Sequence, residues 1–283
     1  MLAGDGAGSG EYVGECAMGL GPRPLARTVD VTVASVARMY DYLLRGKDSY
    51  PADRAACQAL VEVMPNAVAL VEAQKVFSLA AAERLSSQHG VRQFLDFGCG
   101  LPAWVNTHQV ARSSRVVYID KDPMVVAHSR ALLDGGGRTE VMQGDLLEGE
   151  DALARPQVAG LIDLDQPVAV MMTSVLHCIG DDERPAAALR SLLNRLANGS
   201  FLVLSQWVSE DPGIRDRVGS VMRRSMAGAW GQVRRRAEVD GFFGELLVEK
   251  PGLRDVAEWT RAEPSPGQPV GVVEYGGVGR IQR

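Results

Sequence analysis

Lysine is nearly missing from this chain: of its 30 basic residues only four are lysines (Lys47, Lys75, Lys121 and Lys250), set against 35 acidic residues. The net charge of −5 supplies no general attraction to a phosphate backbone, so nucleic acid is not an expected partner. Cysteine is equally sparse. Cys16, Cys57, Cys99 and Cys178 are far apart with no C-x-x-C pair, which excludes a disulfide framework or zinc knot and reads as free thiols in a reducing compartment. The four histidines show no H-x-x-x-H spacing, so no metal is expected. No G-x-S-x-G elbow points to a hydrolase. Apolar runs fall well short of the ~18 residues a membrane span needs, and no basic start followed by an apolar core marks a secretion signal. The expected location is the cytoplasm, with no membrane partner.

What is present is an ordinary globular composition, 46% hydrophobic and 23% charged, which excludes a disordered or fibrous chain. The scarcity of lysine beside abundant Ala, Gly and Val hints at a GC-rich bacterial genome. The length of 283 residues exceeds the ~100–200 of one typical domain. Residues 1–30 read as a flexible, Gly-rich leader with Pro22 and Pro24. Residues 31–90 carry helical spacing over 32–44, 53–63 and 68–85, broken at Arg45–Ser49 and at Pro65-Asn66, and form an expected helical cap. From residue 91 to 283 strands alternate with helices: strands at 93–97, 115–120, 139–143, 168–173 and 200–205, with helices expected at about 104–112, 123–133, 148–160, 185–196, 211–226 and 234–244. That alternation predicts an α/β, doubly wound, Rossmann-like parallel sheet. Leu246–Trp259 and Val270–Ile281 read as two further strands, a C-terminal antiparallel hairpin at the sheet edge, which brings the count to seven.

Gly98-Cys99-Gly100 lies between the first strand and a helix, where a backbone turn approaches a ligand at the carboxyl edge of the sheet. Asp120 ends the second strand, placed to accept hydrogen bonds from both ribose hydroxyls of a nucleoside. Two ligands fit this pattern. Gly98-x-Gly100-x-x-Ala103 also matches the looser dinucleotide fingerprint, which would make the chain an NAD(P)-dependent oxidoreductase. Three features favour S-adenosylmethionine instead. Asp96 precedes the turn and suits an ammonium group, Pro102 interrupts the place where a pyrophosphate-binding helix would start, and Asp145 follows the third strand, where it can accept from an adenine amine. Asp145 as a simple helix cap stays an open reading.

These residues, Asp96-Phe-Gly-Cys-Gly100, Tyr118-Ile-Asp120 and Gly144-Asp145-Leu146, resemble motifs of class I S-adenosylmethionine-dependent methyltransferases. More specifically, Tyr40-Asp-Tyr-Leu-Leu-Arg-Gly-Lys-Asp48, Gly100-Leu-Pro, Asn106-Thr-His108, Asp120-Lys-Asp-Pro123, Ser174-Val-Leu-His177 with Asp181-Asp182, and Tyr275-Gly-Gly-Val-Gly279 resemble one bacterial family within that class. This is the S-adenosyl methyltransferase family once catalogued as a domain of unknown function, and the likeness spans about residues 33–281. It implies the Rossmann-like methyltransferase fold and cofactor, with Asp96, Gly98, Cys99, Gly100, Asn106, Asp120, Lys121, Asp145, Leu146, Thr173 and Ser174 around that cofactor. It also implies that the helical leader closes over the site. The chain departs from the pattern at Cys99, where a hydroxyl residue is usual, and at Leu147, where an arginine is expected.

For the acceptor, His177 is the candidate general base, since it follows the fourth strand and an imidazole titrates near operating pH; a loop-bonding histidine is the alternative. Tyr40, Tyr42 and Lys47 from the leader, with Trp207 and Met222 from the 207–230 insert, are expected as substrate or lid residues; core packing competes for Tyr40. Arg234–Arg236 reads as a solvated helix face. The expected reaction is methyl transfer to a small aromatic or heteroaromatic natural-product metabolite, indole-type acceptors among them. A cofactor-binding protein without transfer is the remaining alternative, and a homodimer is left open.

Overall fold

The strands at 93–97, 115–120, 169–173 and 201–208 are buried at nearly every position, as strands covered on both faces must be. The computed structural model describes residues 29–133, 136–260 and 271–283, so the leader expected over the first thirty residues lies almost wholly outside the described residues. Three helices come first: α1 (Val36–Leu43), α2 (Pro51–Val63) and α3 (Ala67–Gln88). The alternating region follows as β1 (Gln93–Phe97), α4 (Thr107–Val110), β2 (Arg115–Asp120), α5 (Pro123–Leu132) and β3 (Thr139–Gln143). It continues through a 3-10 segment (Leu146–Ala154), α6 (Pro156–Ala159), β4 (Ala169–Thr173), α7 (Pro185–Asn194) and β5 (Phe201–Val208). The chain finishes with α8 (Pro212–Ser225), α9 (Arg236–Phe243), β6 (Leu247–Val248), β7 (Arg254–Asp255) and β8 (Val273–Arg280).

The sheet runs β3-β2-β1-β4-β5-β8-β6, with β7 pairing β8 off this path. The first five strands are parallel and β8 is antiparallel to its neighbours. Strand order reverses between β1 and β4, and such a switch point opens a crevice at the carboxyl ends of the strands.

The expected antiparallel hairpin closes this edge of the sheet, but its first arm is broken. Pro251 and Gly252 divide its first arm, so Leu246–Trp259 yields only the two-residue strands β6 and β7 and a 3-10 turn, and the strand count becomes eight. The second arm, β8, lies inside the sheet between β5 and β6. It fits there because of its glycines: a Cβ at Gly276 would stand 1.9 Å from the Leu204 carbonyl oxygen. The helix expected over 148–160 is instead a 3-10 segment kinked at Gly149 (φ 57°) and the short α6.

Alternate side chains of the strands feed two cores. Leu95, Val170, Met172 and Leu204 pack beneath α7 and α9, while Phe94, Met171 and Val203 pack beneath α3. A third core, with Met39, Leu60, Trp207, Met222 and Trp230, joins α1, α2 and α8. α1 and α2 are also tied by a buried ion pair. Arg38 Nε donates to Asp53 Oδ2 at 2.8 Å, and the two side chains are 3% and 0% exposed. The Ser35 and Tyr50 amides donate to the two oxygens of Asp53 at 2.9 and 2.8 Å, and Arg38 Nη2 donates to the Val33 carbonyl at 2.6 Å.

Candidate functional site

The chain leaves β1 through a turn that only glycine fits. Gly98 and Gly100 have φ of 62° and 66°, where a Cβ is disfavoured, and a Cβ on Gly98 would meet Val175 Cγ2 at 2.6 Å. The turn aims the Gly100 amide at Asp120 Oδ2 (3.1 Å), while the Asp122 amide donates to Oδ1 (2.9 Å). Each oxygen of Asp120 keeps a further lone pair. Burial raises this carboxyl to a pKa of about 6 despite the two amides. Asp96 is pushed upward by burial, against the opposing pull of the Thr107 hydroxyl, which donates to it at 2.7 Å, and of the Lys75 ammonium. Burial in turn lowers Lys75. Asp145 caps the 3-10 segment, its Oδ1 accepting from the Leu147 amide at 3.0 Å.

One cavity of about 890 Å³ collects these groups, a size within the ~300–1,000 Å³ of small-molecule sites. Every residue expected around the cofactor lines it, from Asp96 and the glycine turn through Asn106, Asp120, Lys121, Asp145 and Leu146 to Thr173 and Ser174. So Asp145 both caps and lines the cavity. Cys99, in the place of a hydroxyl residue, is a thiol that burial raises well above its usual range. Of the expected substrate or lid residues, Tyr40 and Lys47 also line it. The Gly46-Lys47-Asp48 break has a steric cause: it wraps the Asp41 carboxylate, whose Oδ1 would lie 2.0 Å from a Gly46 Cβ, and the Asp48 amide donates to Asp41 Oδ2 at 2.8 Å.

Five residues stand elsewhere than expected. His177 is fully buried, its Nδ1 accepts from the Trp207 amide at 3.1 Å, and its ring stacks on Trp207. Burial, aided by the Arg234 charge, drops its pKa to about 3. The basic nitrogen is committed to the backbone, so this imidazole is built as packing, not as a base. Trp207 and Met222 belong to the core under α1, and Tyr42 lines a separate shallow hollow beside Cys57 and Val61. Aromatic and thioether side chains suit a core as well as a pocket wall. Arg234, read as solvated, is 2% exposed. It fastens the loop after β4, donating to the Leu176 and Ile179 carbonyls at 2.6 and 2.9 Å and pairing with Asp181 at 2.7 Å.

Among the cavity residues not anticipated are three on α3: Gln74, Lys75 and Ser78. A polar cluster at helical spacing within the otherwise apolar run 67–82 was the available signal. Gln74 Nε2 donates to Thr173 Oγ1 at 2.6 Å, which ties α3 to the end of β4.

The two candidate ligands make different demands on these residues. A dinucleotide needs a helix N-terminus directly behind the glycine turn for its pyrophosphate. Here Pro102 and the following residues are irregular, and α4 starts only at Thr107 and lasts four residues. What the cavity offers is three carboxylates at the carboxyl edge, suited to hydroxyl, amino and ammonium donors. That is the complement of a nucleoside carrying an amino-acid tail. No metal-binding group of His, Cys, Asp and Glu occurs among the described residues. No single helix among them is long and apolar enough to cross a membrane.

No curated protein sequence matches the chain. The family model described as S-adenosyl methyltransferase matches residues 22–282. A DUF574 family protein from Streptomyces avermitilis is 34% identical over 89% of this chain and 99% of its own, with a TM-score of 0.80. A candidate methyltransferase from Thermobifida fusca is 32% identical over 90% of this chain and 97% of its own, also at 0.80. An O-methyltransferase family protein from Burkholderia thailandensis shares the fold alone, at 13% identity over 76% of this chain and 58% of its own, with a TM-score of 0.51. The turn without a pyrophosphate helix, the three acids and the full-length family match converge: the chain belongs to the S-adenosyl methyltransferase family and is an S-adenosylmethionine-dependent methyltransferase.

Proposed function

We propose that this enzyme methylates a small aromatic or heteroaromatic metabolite held at the α1 end of the cavity. In this reading Asp120 accepts from the ribose hydroxyls, Asp145 from the adenine amine with the Leu146 backbone beside the ring, and Asp96 receives the ammonium. The observation that carries the acceptor assignment is the α1 stripe. Val36, Tyr40 and Leu44, at successive four-residue steps, face the same cavity as the acids, together with Ile179 and Met226. A flat phenol face among aliphatic and thioether side chains suits a flat apolar ligand with few polar anchors. S-adenosylmethionine supplies an activated methyl group, so the chain's task is to align the nucleophile and exclude water.

The test is a panel of indoles, phenols, N-heteroaromatics, and aliphatic amines, alcohols and thiols, read by S-adenosylhomocysteine formation. Aromatic acceptors are expected to turn over, and Tyr40→Leu to raise their KM about two- to tenfold with the cofactor Kd unchanged, as removal of one aromatic contact of roughly 0.5–1.5 kcal/mol requires. Turnover of the aliphatic members alone would sink the assignment. With any productive acceptor, His177→Asn is expected to keep the wild-type shape of the pH–rate profile between about pH 6 and 9, since a general base would imprint its titration there.

A further inference from the structure

Glu274 on β8 is a carboxylate that neither folding nor cofactor binding explains. It is fully buried, stands opposite Trp207 in the β5–β8 register, and has no ion-pair partner among the described residues. Its Oε1 accepts from Ser174 Oγ at 2.8 Å, and the Ser205 hydroxyl is its other polar neighbour. Burying such a group is costly unless it is used.

Ser174 links this carboxylate to the cavity, which it lines. Its φ of 59° is a left-handed conformation that non-glycine residues rarely hold without cause, and its amide donates to the Ser205 carbonyl at 2.7 Å. The Ser174 hydroxyl hydrogen is already given to Glu274, so its oxygen can only accept on the cavity side. Tyr40, on the cavity wall, brings a buried hydroxyl up to Ser174.

We propose that Ser174 and Glu274 form the proton-accepting pair for the methyl acceptor: the acceptor's X–H donates to Ser174 Oγ, and the serine's own hydrogen passes to Glu274 Oε1. This rests on the reading that the acceptor lies at the Tyr40 end of the cavity. As the X–H bond breaks, the heteroatom forms its bond to the methyl carbon, the carbon–sulfur electron pair leaves on sulfur, and the proton rests on Glu274 until solvent removes it. Glu274 thus acts through Ser174 as a positioning residue.

Burial sets when the pair is ready, raising Glu274 to about 8 against the Ser205 and Ser174 hydroxyls, with Asp255 on β7 pushing in the same direction. The other groups around it are Tyr40 on α1, held well above its usual range by burial, and Cys178 after β4, pushed up to about 12. The accepting, ionised form therefore grows as pH rises through about 8 and levels off above it.

The test uses the full chain saturated with cofactor, Glu274→Gln and Ser174→Ala, and two acceptors. One loses a proton on methylation; the other is a ring nitrogen with none to lose. Glu274→Gln is expected to cut kcat for the first about 100-fold, abolish its rise near pH 8, and leave the second within about twofold. In wild type, an infrared carboxylic-acid band absent from Glu274→Gln should titrate near pH 8. Equal slowing of both acceptors, a persistent pH rise in the variant, or no titrating band would overturn the pair. The same Glu274 dependence seen only with an aliphatic alcohol or amine would overturn the aromatic assignment and keep the pair. A panel with no substrate at all would overturn both.

Discussion

Asp120→Asn is expected to weaken S-adenosylmethionine binding by at least about 100-fold. A hydrogen bond to a charged acceptor contributes about 1.5–3 kcal/mol, and the two ribose hydroxyls together would lose more than the ~2.7 kcal/mol that corresponds to that factor. The amide also disturbs the turn. Asp120 now accepts from Gly100 through one oxygen and from Asp122 through the other, whereas asparagine has one acceptor, so one backbone N–H would face an NH2 group. The wild-type carboxyl, with its pKa of about 6, adds a pH signature. Hydroxyl donors favour the ionised form, so affinity is present above pH 6 and falls as Asp120 protonates below it, approaching tenfold per pH unit. Calorimetry on both proteins from pH 5 to 8 checks this. An Asn variant that binds within fivefold of wild type, or retains the acid limb, would remove Asp120 from the ribose.

Asp53→Ala is expected to lower the melting temperature by roughly 6–20 °C, from the ~3–5 kcal/mol of breaking a buried pair and ~2–4 °C per kcal/mol at this chain length. Arg38, 2% exposed, would be left charged with no counterion, and the Ser35 and Tyr50 amides would lose their acceptor. The damage should reach the site, because Ser35 Oγ also donates to Asp122 Oδ2 at 2.8 Å and α1 carries Tyr40 into the cavity. Replacing both partners by methionine and leucine should recover much of the loss. A change of under 2 °C in the single variant would show that the pair holds nothing.

The cofactor half of the site was legible in the sequence because each of its requirements is local. A turn needs glycine, a strand end places an acid, and a proline stops a helix, each decided by the few residues around it. The acceptor half was not. His177 and Glu274 reach their surroundings through contacts spanning 30 and 100 residues, to Trp207 and Ser174. A histidine after a strand looks alike whether its ring faces ligand or tryptophan. Glu274 sat inside a run read only as a strand, with no signal that its side chain would find no cation. Arg234 was misread for the same reason: charge runs usually lie in solvent, and the tertiary partners that make its burial tolerable, the Leu176 and Ile179 carbonyls and Asp181, are more than fifty residues away. The parallel strands and the edge hairpin were read closely, yet the division of the hairpin's first arm into β6 and β7 was missed, since periodicity reports that a segment is extended and not where its pairing breaks.

The late insertion of β8 bears on how the protein is made. β5 is buried at all eight positions and pairs along its whole length with β8, a strand translated some seventy residues later. Until β8 emerges from the ribosome, the growing chain carries an unpaired, apolar edge, the kind that recruits other chains into aggregates. Truncated products ending before residue 273 should therefore accumulate as insoluble material, with chaperone demand falling once the last strand is available.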